Sequence, residues 1–234
     1  MNRRQFSSAA SYALGLATMS AWHQAHALSL GDLTRTEASQ GLKAVLEQGA
    51  MAAVALLGKP GGFLDNPKVR IPLPGFLADA SRFLRAMGRG QQVDELEVAM
   101  NRAAEAAVPL AQELLTHAVK SMTVNDAKKI LAGGGTSVTD FFAEKTRAPL
   151  TVRFLPVVTR ATEKVELAEK YNRVAGKAVG MGIVKKEDAA IEPYVTRKSL
   201  DGLYAMIGEE EKKIRQDPAG SGSAILRKVF GSLH

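Results

Sequence analysis

The sequence predicts an all-α protein, a single-domain irregular helical bundle with a long ordered Pro/Gly-rich loop. Three observations predict it. Apolar residues recur at three-to-four spacing, as along Leu200, Leu203, Ile207 and Ile214, which is the period of a half-buried helix. Alternating β-branched runs, the mark of strands, are scarce. Prolines and glycines gather between the periodic segments, four of each within residues 58–75. With 46% apolar residues in 234, the chain can bury a real core. No internal repeat or sustained heptad is present.

The first segment reads as an address rather than as part of the fold. Arg3-Arg4-Gln-Phe6 precedes an uncharged run from Ser7 to Trp22, and Ala25-His-Ala27 closes it as a small-x-small cleavage pattern. That is the layout of a signal peptide, too short and too weakly apolar to span a bilayer. The paired arginines and Phe6 are similar to a twin-arginine signal. Asn2 and Ser7 depart from that pattern, so Sec export is equally open. The expectation is a leader over residues 1–27, cleavage after Ala27, and a periplasmic helical domain over 28–234. No second long apolar segment follows, so no stable membrane insertion is expected once the leader is gone.

The mature elements follow in order. Thr34-x-x-Glu37 forms a capping box for a helix with Leu42, Val45, Leu46, Ala53 and Leu57 inward, ending at Gly58. Residues 58–75 cannot be regular helix. Their apolar members Phe63, Leu64, Val69, Ile71 and Leu73 predict a loop laid against the body. Phe76 to Met87 reads as a short helix with Phe76, Leu77, Phe83, Leu84 and Met87 available for burial.

The central helix starts near Val93, with Val93, Leu96, Met100, Ala103, Ala104 and Ala107 on one face, and runs past a kink at Pro109 to Val119. Thr123 with Asp126 opens another helix, which ends at the glycines 133–135. Thr136 or Ser137 caps a helix from Val138 to Lys145. A separate long helix is expected from Pro149 to Tyr171, interrupted or bent near Pro156, then a mobile connection at Gly176, Gly180 and Gly182. Pro193 opens the last long helix, Tyr194 to Arg215, and Ser223 to Phe230 makes a terminal one.

Several of these stretches carry a resemblance. Gly58-Lys-Pro-Gly-Gly-Phe-Leu, Asn66-Pro-x-Val-Arg-Ile-Pro-Leu-Pro74, Val93-Asp-Glu-Leu-Glu, Met100-Asn-Arg-Ala-Ala-Glu105, Leu200-Asp-Gly-Leu-Tyr and Glu209-Glu-Glu-Lys-Lys-Ile-Arg occur in order. The chain resembles the bacterial domain of unknown function 4197, a family whose members typically begin with export signals. The resemblance covers essentially the whole mature chain and supports the all-helical reading. It implies no catalytic residues.

Composition narrows the chemistry. Having no cysteine excludes disulfides, thiolate metal sites and a cysteine nucleophile. The formal net charge is +7, and loss of Arg3 and Arg4 brings it to +5. The basic residues are dispersed. With an exported address, nucleic acid is not an expected partner. Beyond the leader only His117 and His234 remain, and Glu113-x-x-x-His117 is not a di-iron spacing, so no metal or other cofactor is expected. Gly133-Gly-Gly-Thr136 lacks the Lys-Ser/Thr ending of a P-loop, and no Gly-x-Ser-x-Gly elbow occurs.

The candidate binding residues lie on the central helix and the loop before it. Asp94, Glu97, Asn101 and Glu105 form a stripe beside the apolar face. It is either a solvated face or a partly buried network in which Arg70 and Arg102 pair with Glu97 and Glu105. Arg70, flanked by prolines, is the candidate anchor for an anionic ligand or partner. Gly49 and Gly202, inside helices, mark close backbone approaches.

The leading expectation is a non-enzymatic periplasmic binding or scaffold protein that engages an envelope protein through the loop. Alanine at Arg70 and Ile71 is then expected to leave stability intact. The alternatives are a carrier of an apolar or lipid ligand among the many aromatics, and a hydrolase using Glu97 or Glu105.

Overall fold

Local sequence sets where the helices start and stop. The computed structural model describes residues 35–133 and 136–217. The leader, the Thr34 capping box, the glycines at 134–135 and the terminal helix near Ser223 lie outside the described residues. Helix α1 (Arg35–Leu57) ends at Gly58, and a folded loop leads to α2 (Gly75–Ala86). Helix α3 (Gly90–Ala107) runs into a 3-10 turn, Val108–Ala111, followed by α4 (Gln112–Lys120) and α5 (Val124–Ala132). Helices α6 (Ser137–Thr162), α7 (Glu166–Gly180) and α8 (Ile191–Gln216) complete the bundle. Among the described residues every regular element is helical, and the fold is all-α.

Helix α3 occupies the centre. Val93, Leu96, Met100, Ala103, Ala104 and Ala107 are fully buried, the face that the sequence period predicts. Alanines at its contact positions let α6 and α8 pack closely. Helices α6, α8, α2 and α7 pack around it, and α8 touches both α1 and α6 extensively. Gly49 marks the α1–α8 approach: a Cβ there would lie 3.5 Å from the Glu211 backbone nitrogen. Phe63, Phe142, Phe154 and Tyr204 are the bulkiest fully buried side chains. They fill the core between these helices.

Four expectations need correction. Residues 137–162 form one continuous helix, not two, despite Pro149 and Pro156 inside it. Both prolines are exposed, so the carbonyls that lose their partners can be hydrated, and the helix continues through them. The break falls later, at residues 163–165, before α7. Second, Gly176 and Gly180 lie within α7, and only Gly182, at φ +72°, turns the chain out of the helix. Third, Pro109 does more than kink the central helix, because it sits in the 3-10 turn that separates α3 from α4.

Fourth, Phe76, Phe83 and Met87 are exposed; only Leu77 of α2 is fully buried, with Leu84 packed beside it. The body covers one side of that broad apolar arc and leaves the other in water. Thr123 and Asp126, by contrast, form the expected reciprocal cap of α5.

Candidate functional site

The loop between α1 and α2 is tied to α3 and α8 at each of its bends. Its path begins with glycine chemistry. Gly61 holds φ +84°, and a Cβ on Gly62 would lie 2.4 Å from the Leu57 carbonyl oxygen, so only glycine lets the chain fold back over the end of α1. This turn aims backbone amides at α3. The Phe63 and Leu64 amides both donate to Glu105 Oε1 at 3.0 Å, and Arg102 Nη1 donates to Oε2 at 2.6 Å. The Gly61 amide is directed at the same group.

Glu105 is only 4% exposed. Burial pushes its carboxyl up, but the Leu64 amide, the Arg102 guanidinium and the Phe63 and Gly61 amides outweigh burial and hold it below the usual carboxylate range. The carboxylate therefore stays ionised as the anion inside a concavity of amide N–H groups.

One turn back along α3, fully buried Asn101 grips the second half of the loop. Its Oδ1 accepts from the Ile71 amide at 2.8 Å, and its Nδ2 donates to the Ile71 carbonyl at 3.0 Å and to the Glu97 carbonyl at 2.8 Å. An asparagine side chain here imitates a neighbouring strand. Another turn back, Glu97 Oε1 accepts from Arg70 Nε at 3.0 Å and from Nη2 at 2.9 Å. Glu97, Asn101 and Glu105, spaced one turn apart, thus hold Arg70, Ile71, Phe63 and Leu64 in order.

The candidate residues Arg70, Arg102, Glu97, Asn101 and Glu105 come together in one network. Asn101 and Glu105 are buried, Glu97 is half-buried, and Asp94 stands in water. The stripe is therefore a buried network at one end and a solvated face at the other.

Helix α8 supplies a second row of contacts. Tyr194 donates its hydroxyl to the Pro72 carbonyl at 2.9 Å, and Lys68 pairs with Glu209 at 2.9 Å. Burial raises the Tyr194 phenol, with Asp188 adding to it and Arg197 opposing. Between them Gly202 faces the loop: a Cβ there would lie 2.9 Å from Phe63 Cε1 and 3.2 Å from Val69 Cβ. The sequence marks Gly202 as a close approach but not its partner. Tyr194, Lys68 and Glu209 are missed because a tyrosine that meets a main-chain carbonyl, or a surface ion pair across more than a hundred residues, leaves no local pattern. Ile71 is buried, so its alanine substitution would open a cavity and could not leave stability intact.

What remains outward on the loop is Lys59, Pro60, Asp65, Pro67, Lys68, Arg70 and Pro72. Arg70 is held on one side by Glu97, yet its side chain is 49% exposed. The arrangement offers a fixed cation and rigid proline surface, and its buried carboxylate is committed to structure. Among the described residues no group of three or more His, Asp or Glu is placed to hold a metal.

Comparison with protein families decides the relationship. A family model described as "Protein of unknown function (DUF4197)" matches residues 32–231. The chain belongs to this family. For DUF4197 the match covers all of α1 to α8 and the whole pinned loop, so the network above lies inside the family's domain. Searches of curated proteins and of solved structures return no match.

Proposed function

We propose that this DUF4197 protein is a non-enzymatic helical binding or scaffold protein of the periplasm that engages another envelope component through the outward side of its pinned loop. One observation carries the reading. Glu97, Asn101 and Glu105 direct their polar groups at the loop, while Lys68, Arg70 and the prolines beside them face solvent on a backbone that cannot sag. A surface ordered in advance loses little conformational entropy when a partner docks. Half-anchored Arg70 suits a carboxylate or phosphate on that partner, because a guanidinium can meet two oxygens while one edge stays held.

The test uses photo-crosslinking in living cells, with a photoreactive residue at position 72. The expected result is one discrete adduct that Arg70→Ala abolishes while stability falls by no more than about 1 kcal/mol, since the Arg70–Glu97 pair lies half in water. An adduct indifferent to Arg70→Ala, or none from position 72, refutes the reading. Osmotic-shock fractionation tests the address independently, with the mature chain expected to begin at Leu28.

A further inference from the structure

Helix α2 carries a feature that the pinned loop does not use. Phe76, Ala80 and Phe83, with Met87 at the cap just past the last turn, follow a four-three-four spacing, so at about 100° per residue they form one straight stripe along α2 and its end. Phe83 is 68%, Met87 57% and Phe76 41% exposed. Leu77 and Leu84, about a quarter-turn round the helix, make the contact with the body. The stripe is therefore an addition to the packing face. Single exposed apolar residues are ordinary in soluble proteins, but two phenylalanines and a methionine in line on one helix are not.

The opposite half of α2 and the turn after it are cationic. Arg82, Arg85 and Arg89 are exposed there; Asp79 lies at the stripe's border and Asp94 of α3 neutralises Arg85, which leaves Arg82 and Arg89 as the cations free to meet an anionic surface. Arg85 is anchored by Asp94 of α3, and the charge of Arg89 also reaches Glu166 at the start of α7.

Area and charge select the occupant. The three side chains leave on the order of 300 Å² of apolar surface in water, well short of the roughly 800 Å² per partner that a stable protein interface buries. A second copy seated on this stripe would be weakly held. A bilayer surface has no such threshold, because an interfacial helix gains from each apolar group it submerges and from each cation it brings near the headgroups. The dimensions agree. A helix is about 10 Å across, so with the stripe at the acyl boundary the guanidinium groups stand at the headgroup layer, within about one Debye length of its phosphates at 0.1 M salt. Long arginine side chains also reach back toward the interface while their stems stay apolar.

We infer that α2 is a membrane-surface anchor: its Phe76–Phe83–Met87 stripe inserts shallowly into an anionic bilayer while Arg82 and Arg89 face the headgroups. This site is separate from the loop ridge, so either can fail without the other.

The experiment is flotation of the protein with vesicles of phosphatidylcholine alone or with phosphatidylglycerol added. Binding is expected to the anionic vesicles and to weaken as salt is raised. Phe83→Ser with Met87→Ser should lower the partition at least about tenfold, since two submerged apolar side chains are lost. Because both residues already lie in water, the circular-dichroism melt should not move, which separates lost binding from lost fold. Arg82→Glu with Arg89→Glu should lower binding to anionic vesicles and flatten its salt dependence. Three results overturn the inference: no binding to anionic vesicles, equal partition of the serine double variant, or a dimer in sedimentation that the serine variant dissociates. The last would assign the stripe to self-association.

Discussion

Replacing Glu105 by alanine removes the one acceptor that fixes the start of the loop. The Phe63 amide is left buried and the Leu64 amide partly buried, both without their 3.0 Å partner, and Arg102 loses its carboxylate. A buried, unpaired donor costs about 1–3 kcal/mol; Arg102 is 44% exposed, so water can take up its freed charge, and the expected loss is about 2–4 kcal/mol, nearly all from the two amides. At about 2–4 °C per kcal/mol for a domain of this size, the melting temperature should fall by about 10 °C. Glu105→Gln keeps the shape and one acceptor oxygen but sets an NH₂ group against Arg102, and about half that loss is expected.

The assay is urea unfolding followed by circular dichroism, paired with native-state hydrogen exchange. The Phe63 and Leu64 amides should exchange far faster in the alanine variant while core amides of α3 keep their rank. The pH dependence gives an independent check. Because the folded carboxyl titrates below its unfolded value, its contribution is fully present above the unfolded value of about 4.3. It is lost as pH falls through the lower folded value. Glu105→Gln should lose that part of the acid sensitivity. If the alanine variant costs under about 1 kcal/mol, or leaves Phe63 and Leu64 protected, the loop is held by its apolar contacts and the carboxylate has no special role.

Three other outcomes are expected. Gly202→Ala places a methyl 2.9 Å from Phe63 Cε1 and 3.2 Å from Val69 Cβ, so equilibrium unfolding should show a loss of about 1–3 kcal/mol as the loop shifts off α8. Asn101→Asp should be less stable at neutral pH than Asn101→Ala, because a carboxylate would face the Ile71 and Glu97 carbonyls; protonation at low pH should narrow the gap, as thermal melts across pH would reveal. Burial, helped by Asp188 and Tyr194, pushes the Tyr171 phenol up to about 12. Stability is then fully present below the unfolded tyrosine value of about 10 and is lost as pH rises toward 12, which alkaline unfolding and ultraviolet titration of Tyr171→Phe would both register.

The legible and illegible parts of this fold divide along a physical line. The inward face of α3 was readable because burial imposes a period on apolar residues, and each of its six predicted positions is fully buried. The pairs Arg70–Glu97 and Arg102–Glu105 were readable as options because opposite charges sat at reachable positions. What decides between a solvated stripe and a buried network is the backbone of the loop, and amides look alike in a sequence. Hence the Asn101–Ile71 exchange and the Glu105 concavity were invisible until the loop's path was known. Proline misled in α6 because its rule concerns hydrogen bonds, while its tolerance depends on which side meets water. Helix α2 misled for a related reason: periodicity reveals an apolar arc but not how much of it the body covers.

The placement of α8 has a consequence for how the molecule comes into being. This is the last helix of the described fold, yet α1, α6 and the loop all rest on it through Gly49, Tyr204, Tyr194 and Gly202. A growing polypeptide carries its first helix and its strapped loop without that neighbour until α8 has emerged. Closing such distant contacts is slow compared with coiling single helices. The emerging chain therefore stays unfinished until α8 appears, and a nascent chain ending before Ile191 should remain open to protease along α1 and residues 58–74.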